Sequence, residues 1–250
     1  TMAGRAEFSL QGRQAFYFAL LLAPPLLWLG IVYLGSLLTL LLQSFYAIDE
    51  FTARIVPEFT LATYRQLLTQ PAHIDIIVRT LLMAVAVTLT AAVIAFPVAL
   101  YMARYAGPRT KALFYVGVML PMWTSYLVKV YAWRLILAKQ GIASWGFEHL
   151  GLMGALDKAL EVPVVGGPSL ASSYIGMFVV FVYMWLPFMI LPLAAALERV
   201  PASLLQASAD LGARPGQTFR NVVLPLALPG LAAGSIFTFS LTLGDYIIPS

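Results

Sequence analysis

A few side chains in an otherwise apolar chain have the chemistry to contact a solute: Tyr126, Lys129, Trp133, Arg134, Trp185 and Asp245. Trp123, Tyr126, Val130 and Trp133 recur at helical spacing and form one stripe, and Phe178, Phe181, Trp185 and Phe188 form another. Aromatic faces attract ammonium groups through their quadrupole and cover methylene groups by apolar contact. The same stripes serve equally well as packing or as an interfacial belt. Arg134 can snorkel to a membrane surface, while Lys129 needs protein or water around its charge. Asp245 is either a helix-end residue in water or a counter-charge lining a path. The set that could border a path for a solute is therefore Tyr126, Lys129, Trp133, Trp185 and Asp245. This is chemistry for recognising a cation, not for making or breaking bonds. His73 and His149 stand alone, with no second ligand at metal spacing. Cysteine is absent, which excludes disulfide, zinc-ribbon and thiol chemistry. The run from Gly212 to Thr218 lacks the lysine and the preceding strand of a phosphate loop.

The elements that must position these residues are membrane spans. Of 250 residues, 61% are hydrophobic and 10% charged, against about a quarter charged in soluble domains. Apolar runs predict spans over 15–42, 76–103, 112–137, 172–197 and 222–247, each long enough to cross roughly 30 Å of hydrocarbon. The first run is too long for a signal-peptide core, and Pro24 and Pro25 should bend it or mark a loose turn. Polar loops fill 43–75, where 59–68 can form a short helix, and 139–171, with a Gly166-Gly167-Pro168 turn. One set of loops holds Arg5, Arg13, Arg104, Arg109, Lys111, Arg199, Arg214 and Arg220, and the other holds fewer basic residues amid more acids. The richer side is expected to be cytoplasmic. This explains the net charge of +4 better than nucleic-acid binding does. The chain thus divides into an N-terminal span with its external loop, 1–75, and a core, 76–250.

One cytoplasmic stretch is amphipathic. Pro201 suits the start of a helix over 202–211, and Gly212 supplies the permissive backbone that ends it. Leu204, Ala207 and Leu211 share a face with Ser208 beside them, and Gln206 and Asp210 lie on a more polar side. Pro215 can open a second helix that runs into the last span. A small apolar face at the membrane surface suits docking in a groove of another protein.

The segment Gln206-Ala-Ser208-Ala-Asp210-Leu-Gly212-Ala213, with Leu224-Pro225 following, resembles the signature loop of permeases of type I ABC importers. Gln206 replaces the family's glutamate and Ser208 its second alanine, so a charge-assisted bond gives way to a neutral one roughly half as strong. The resemblance implies an all-α polytopic bundle whose loop 199–222 is a coupling helix. Leu204, Leu205, Gln206, Ala207, Ser208, Asp210, Leu211, Gly212 and Ala213 would then insert into a cytoplasmic ABC ATPase, present in two copies. It also implies a second permease subunit, usually making a heterodimer, an extracytoplasmic substrate-binding protein, and surrounding membrane lipid in the bacterial inner membrane. ATP and magnesium would belong to the ATPase, with no cofactor in this chain. The phrase Gly244-Asp245-Tyr246-Ile247-Ile248-Pro249-Ser250 resembles the one that precedes a sixth span in the family, so a sixth span is expected beyond Ser250. Lys129, Tyr131, Ala132, Trp133, Leu137 and Gly141 resemble the third span of the spermidine/putrescine subfamily, which implies a polyamine as cargo. Iron, an organophosphonate or an opine is the alternative within this class. An ion-coupled secondary transporter is the alternative outside it, but neither inverted repeats nor a midplane acid supports that.

Overall fold

In a computed structural model of the chain, the described residues are 17–18, 20–48, 55–163, 165–246 and 248. Arg5, Arg13, Asp49, Glu50, Arg54, Ile247, Pro249 and Ser250, on which several expectations fall, lie outside them. The chain divides into two compact units, 1–76 and 77–250.

In the first unit, α1 (Leu20–Gln43) is a 24-residue apolar helix. Its irregularity is a π-helical stretch, Trp28–Leu34, just after Pro24 and Pro25. No residue of that stretch or of the following Gly35–Gln43 is buried. The described part of the polar loop after it holds two strands that hydropathy does not predict. Strands β1 (Tyr46–Ile48) and β2 (Ile55–Phe59) pair antiparallel, with a register irregularity between Tyr46 and Ala47. The irregularity accommodates Pro57, which cannot donate to a regular ladder. Helix α2 (Ala62–Thr69) follows, and Tyr64 hydroxyl lies 2.6 Å from Ser44 Oγ.

The second unit is built on three long helices: α3 (Pro71–Arg104), whose first turns belong to the first unit, α8 (Tyr174–Glu198) and α10 (Pro215–Gly244). Between α3 and α8 lie α4 (Pro108–Trp123), α5 (Tyr126–Ile136), α6 (Ile142–His149) and α7 (Met153–Leu160), and α9 (Ala202–Asp210) joins α8 to α10. The expected single third span over 112–137 is in fact α4 and α5, bent by 94°. Pro121 removes an N–H from the last turn of α4, and Thr124 and Ser125 both take extended backbone angles. The aromatic stripe through Trp123 is broken there: Trp123 is exposed, while Tyr126, Val130 and Trp133 pack together in the outer core. Among the described residues, four helices are long and apolar enough to cross a membrane, and the bent pair makes a fifth span if counted as one.

Two clusters make the core. The inner one joins Ala91, Ala95, Ala99 and Met102 of α3 to Met189, Leu193 and Leu197 of α8 and Ala227 of α10. The outer one gathers Phe181, Met184 and Trp185 of α8 around Val87, Leu137 and Leu156. Helices α8 and α10 approach most closely at Gly230 and Gly234. A Cβ on Gly230 would come within 2.5 Å of Ala196 Cβ and 2.6 Å of the Pro192 carbonyl oxygen. This small-xxx-small step is structural, as its spacing predicts.

Candidate functional site

The amphipathic loop is a short helix ended by a glycine. Pro201 is the residue before α9, with extended ψ 139, one position earlier than a first-turn proline. The helix stops because Gly212 adopts φ +76, where only glycine is unstrained. Pro215 then stands at the first position of α10, and Arg214 N–H donates to Gln217 Oε1 at 2.8 Å. The faces divide clearly. Leu204, Gln206, Ala207, Asp210, Leu211 and Gly212 are exposed, while Leu205, Ser208 and Ala213 turn inward. Leu205 packs on the inner core cluster. Ser208 Oγ lies 2.8 Å from Thr218 Oγ1, which ties α9 to the start of α10. Leu211 is 88% exposed, an apolar side chain that none of the described residues covers. Leu204, Ala207 and Leu211 therefore present one uncovered apolar face.

Away from that loop, beside the middle of α8, Tyr126, Trp185 and Asp245 come together from three elements. Tyr126 hydroxyl donates to Asp245 Oδ2. The Tyr126 and Trp185 rings stack at 6.3 Å with 14° between planes, and Phe188 meets Trp185 edge-on at 5.9 Å. Ile248 N–H donates to Asp245 Oδ1 at 3.1 Å. Tyr126, Trp185 and Asp245, with Ser240, Leu241, Gly244 and Tyr246, line a cavity of about 270 Å³, and none of these described lining residues is basic. Trp185 Nε1 is buried without a hydrogen-bond partner among the described residues.

The other two candidates lie elsewhere. Trp133 lines a separate cavity of about 450 Å³ with Arg134, Ser172, Ser173 and Tyr174, and its ring packs on Tyr183 at 5.1 Å. Lys129 does not line either cavity. Its Nζ donates to the Pro121 carbonyl oxygen at 2.9 Å. That carbonyl lies in the last turn of α4, where the break leaves it without a helical donor. A cation at a helix C-terminus also complements the helix dipole.

Residues 95–250 match the family described as binding-protein-dependent transport system inner membrane component. The chain is 65% identical over 230 residues to an inner membrane ABC transporter permease protein, YdcU, of Escherichia coli (strain K12), spanning 92% of this chain and 73% of that one. The chain belongs to this family. The permease is a multi-pass protein of the inner membrane and a transport subunit rather than an enzyme. It is also 30% identical to the spermidine/putrescine transport system permease protein PotB of Haemophilus influenzae, over 88% of this chain and 72% of that one. The Salmonella typhi protein of the same name matches at 30% over 76% of the permease and 62% of its own length.

Sequence reasoning missed the ends of this machinery that meet the bundle. Glu198 contacts Lys111 and Tyr115, 83 or more positions away in the chain. No local spacing signals such a contact. The pairing of Ser208 with Thr218 had a signal: serine replaces a small apolar residue of the resembled pattern, and a threonine lies ten positions on.

Proposed function

We propose that the permease imports polyamines such as spermidine and putrescine by alternating access, driven by ATP hydrolysis on a separate subunit. Two copies of a cytoplasmic ABC ATPase dock on the coupling helices, and a second permease subunit completes the pore as a heterodimer. An extracytoplasmic binding protein delivers cargo. ATP and magnesium are bound by the ATPase. Closure of the ATPase dimer draws the coupling helices together and opens the pore outward, and hydrolysis returns it.

The observation that carries the cargo reading is the Tyr126–Trp185–Asp245 cluster. One carboxylate beside two stacked rings, lining a cavity, suits an ammonium group and its methylene spacer. Relatives named as spermidine/putrescine permeases support the same reading. The uncovered face of Leu204, Ala207 and Leu211, offered next to a glycine-stopped turn, supports docking of the ATPase there.

Uptake of labelled spermidine and putrescine by the full importer in proteoliposomes tests the cargo. Asp245→Asn keeps the shape and one accepting oxygen for Ile248 N–H, reverses the Tyr126 bond so that the amide donates to the hydroxyl, and removes the charge. It is expected to lower polyamine uptake at least tenfold, the effect of losing about 1.4 kcal/mol of attraction. Undiminished uptake removes Asp245 from the path, and no polyamine uptake by the parent protein refutes the cargo.

A further inference from the structure

The hinge between α8 and the coupling helix is tied to two other helices. Glu198 is the last residue of α8 and lies four positions before the start of α9. Lys111 Nζ lies 2.8 Å from Glu198 Oε1. Tyr115 hydroxyl donates to the same oxygen at 2.7 Å. Two residues on, the Val200 carbonyl accepts from Arg104 Nη2 at 2.6 Å, and Arg104 Nε is buried with no partner among the described residues. Lys111 and Tyr115 sit on successive turns near the start of α4, and Arg104 ends α3.

Stability alone is a poor reason for this arrangement. Lys111 and Glu198 are about one-third exposed, and such pairs contribute little on average. What the shared oxygen does is fix geometry. One carboxylate holds a lysine and a tyrosine of the same helix, so the start of α4 cannot pivot freely about the hinge. From there α4 runs to Trp123, and at its far end Lys129 pins the bend by bonding the Pro121 carbonyl. Beyond the bend, α5 opens with Tyr126, which bonds Asp245. Rigid elements joined by fixed bonds can carry a displacement between distant sites.

We propose that Glu198 is a positioning residue that transmits movement of the coupling helix to α4, and through it to the Tyr126–Asp245 contact. This rests on the reading that a docked ATPase drives the permease. In that case the Glu198 knot near the start of α4 and the Tyr126–Asp245 contact beyond its end move as one.

The test uses the full importer in proteoliposomes, with its ATPase, partner permease and binding protein. The chain has no cysteine, so Met122→Cys near the end of α4 takes a single environment-sensitive fluorophore once partner thiols are replaced. The probe is ATP with vanadate, which traps the closed ATPase, so no cargo is required. In the parent the fluorophore signal shifts on trapping. With Glu198→Ala the shift is lost while ATP hydrolysis and assembly persist, and the charge swap Lys111→Glu with Glu198→Lys restores it. Lys111→Met, which leaves α8 untouched, also diminishes the shift and guards against misfolding of the first variant. A parent-like shift in Glu198→Ala or in Lys111→Met overturns the proposal, as does a swap that restores nothing. A parent that hydrolyses ATP without any shift instead overturns the driven-permease reading beneath it.

Discussion

The close approach of α8 and α10 makes a ranked prediction about single methyl groups. Adding a Cβ at Gly230 puts it 2.5 Å from Ala196 Cβ and 2.6 Å from the Pro192 carbonyl oxygen. Apolar contacts lie near 4 Å, so the shortfall is about 1.5 Å. Neither obstacle can swing aside, because one is a Cβ and the other is backbone. The helices must part along a seam that holds the fully buried Met189 and Leu193. Overpacking of this kind costs about 1–3 kcal/mol, and Gly230→Ala should lie at the upper end. Gly234→Ala meets Met189 Sδ at 2.8 Å and Met189 Cα at 3.0 Å. The sulfur is the movable end of a flexible side chain, so this variant should cost less. Gly117→Ala is the control: nothing lies within 4 Å of its added Cβ, and helix propensity favours alanine by up to about 1 kcal/mol. Reversible unfolding of the purified permease in mixed micelles, titrated with a denaturing detergent, ranks the three. The order Gly230→Ala, Gly234→Ala, Gly117→Ala from least to most stable is expected. If Gly230→Ala matches the parent, the seam is not as tight as the reasoning requires.

Three further outcomes are expected. Gly212→Pro cannot take φ +76, so the turn after α9 must rearrange; the spans should insert normally while hydrolysis no longer drives transport, measured as cargo moved per ATP. Leu211→Asp should leave the isolated permease's thermal stability unchanged but weaken its co-purification with the ATPase, since a buried leucine contributes about 1.5–3 kcal/mol. Lys129→Met removes the donor from the Pro121 carbonyl and should open the 94° bend, read as a change in the distance between spin labels on α4 and α5.

Hydropathy made the long helices legible, because a run of apolar residues long enough to cross a bilayer has few other uses. It could not see the break at Thr124–Ser125. Neither residue is a strong helix breaker, and the apolar run continues across them. The β1–β2 hairpin was hidden for a related reason: its strands are short, and Pro57 argues against a strand until the irregular register gives it room. Helices α6 and α7 fell inside a stretch read as polar loop, since eight residues each are too few for a clear periodic signal. The turn at Gly212 and the apolar face of α9 were readable from spacing alone. The meeting of Tyr126, Trp185 and Asp245 was not, because it depends on how α5, α8 and the end of α10 pack. Lys129 shows the limit of residue-type arguments: its charge suggested solute contact, and its nitrogen instead satisfies a carbonyl of its own chain.

Helix α8 passes through both core clusters as one 25-residue rod, about 37 Å long. Such a rod acts as a see-saw. A tilt of about 5° around its middle displaces each tip by roughly 1.6 Å, given its length. That is more than a hydrogen bond can stretch and survive. Small rocking would therefore suffice to unlatch the bonds that Glu198 makes at one tip, while Trp185, near the middle of the rod, hardly moves.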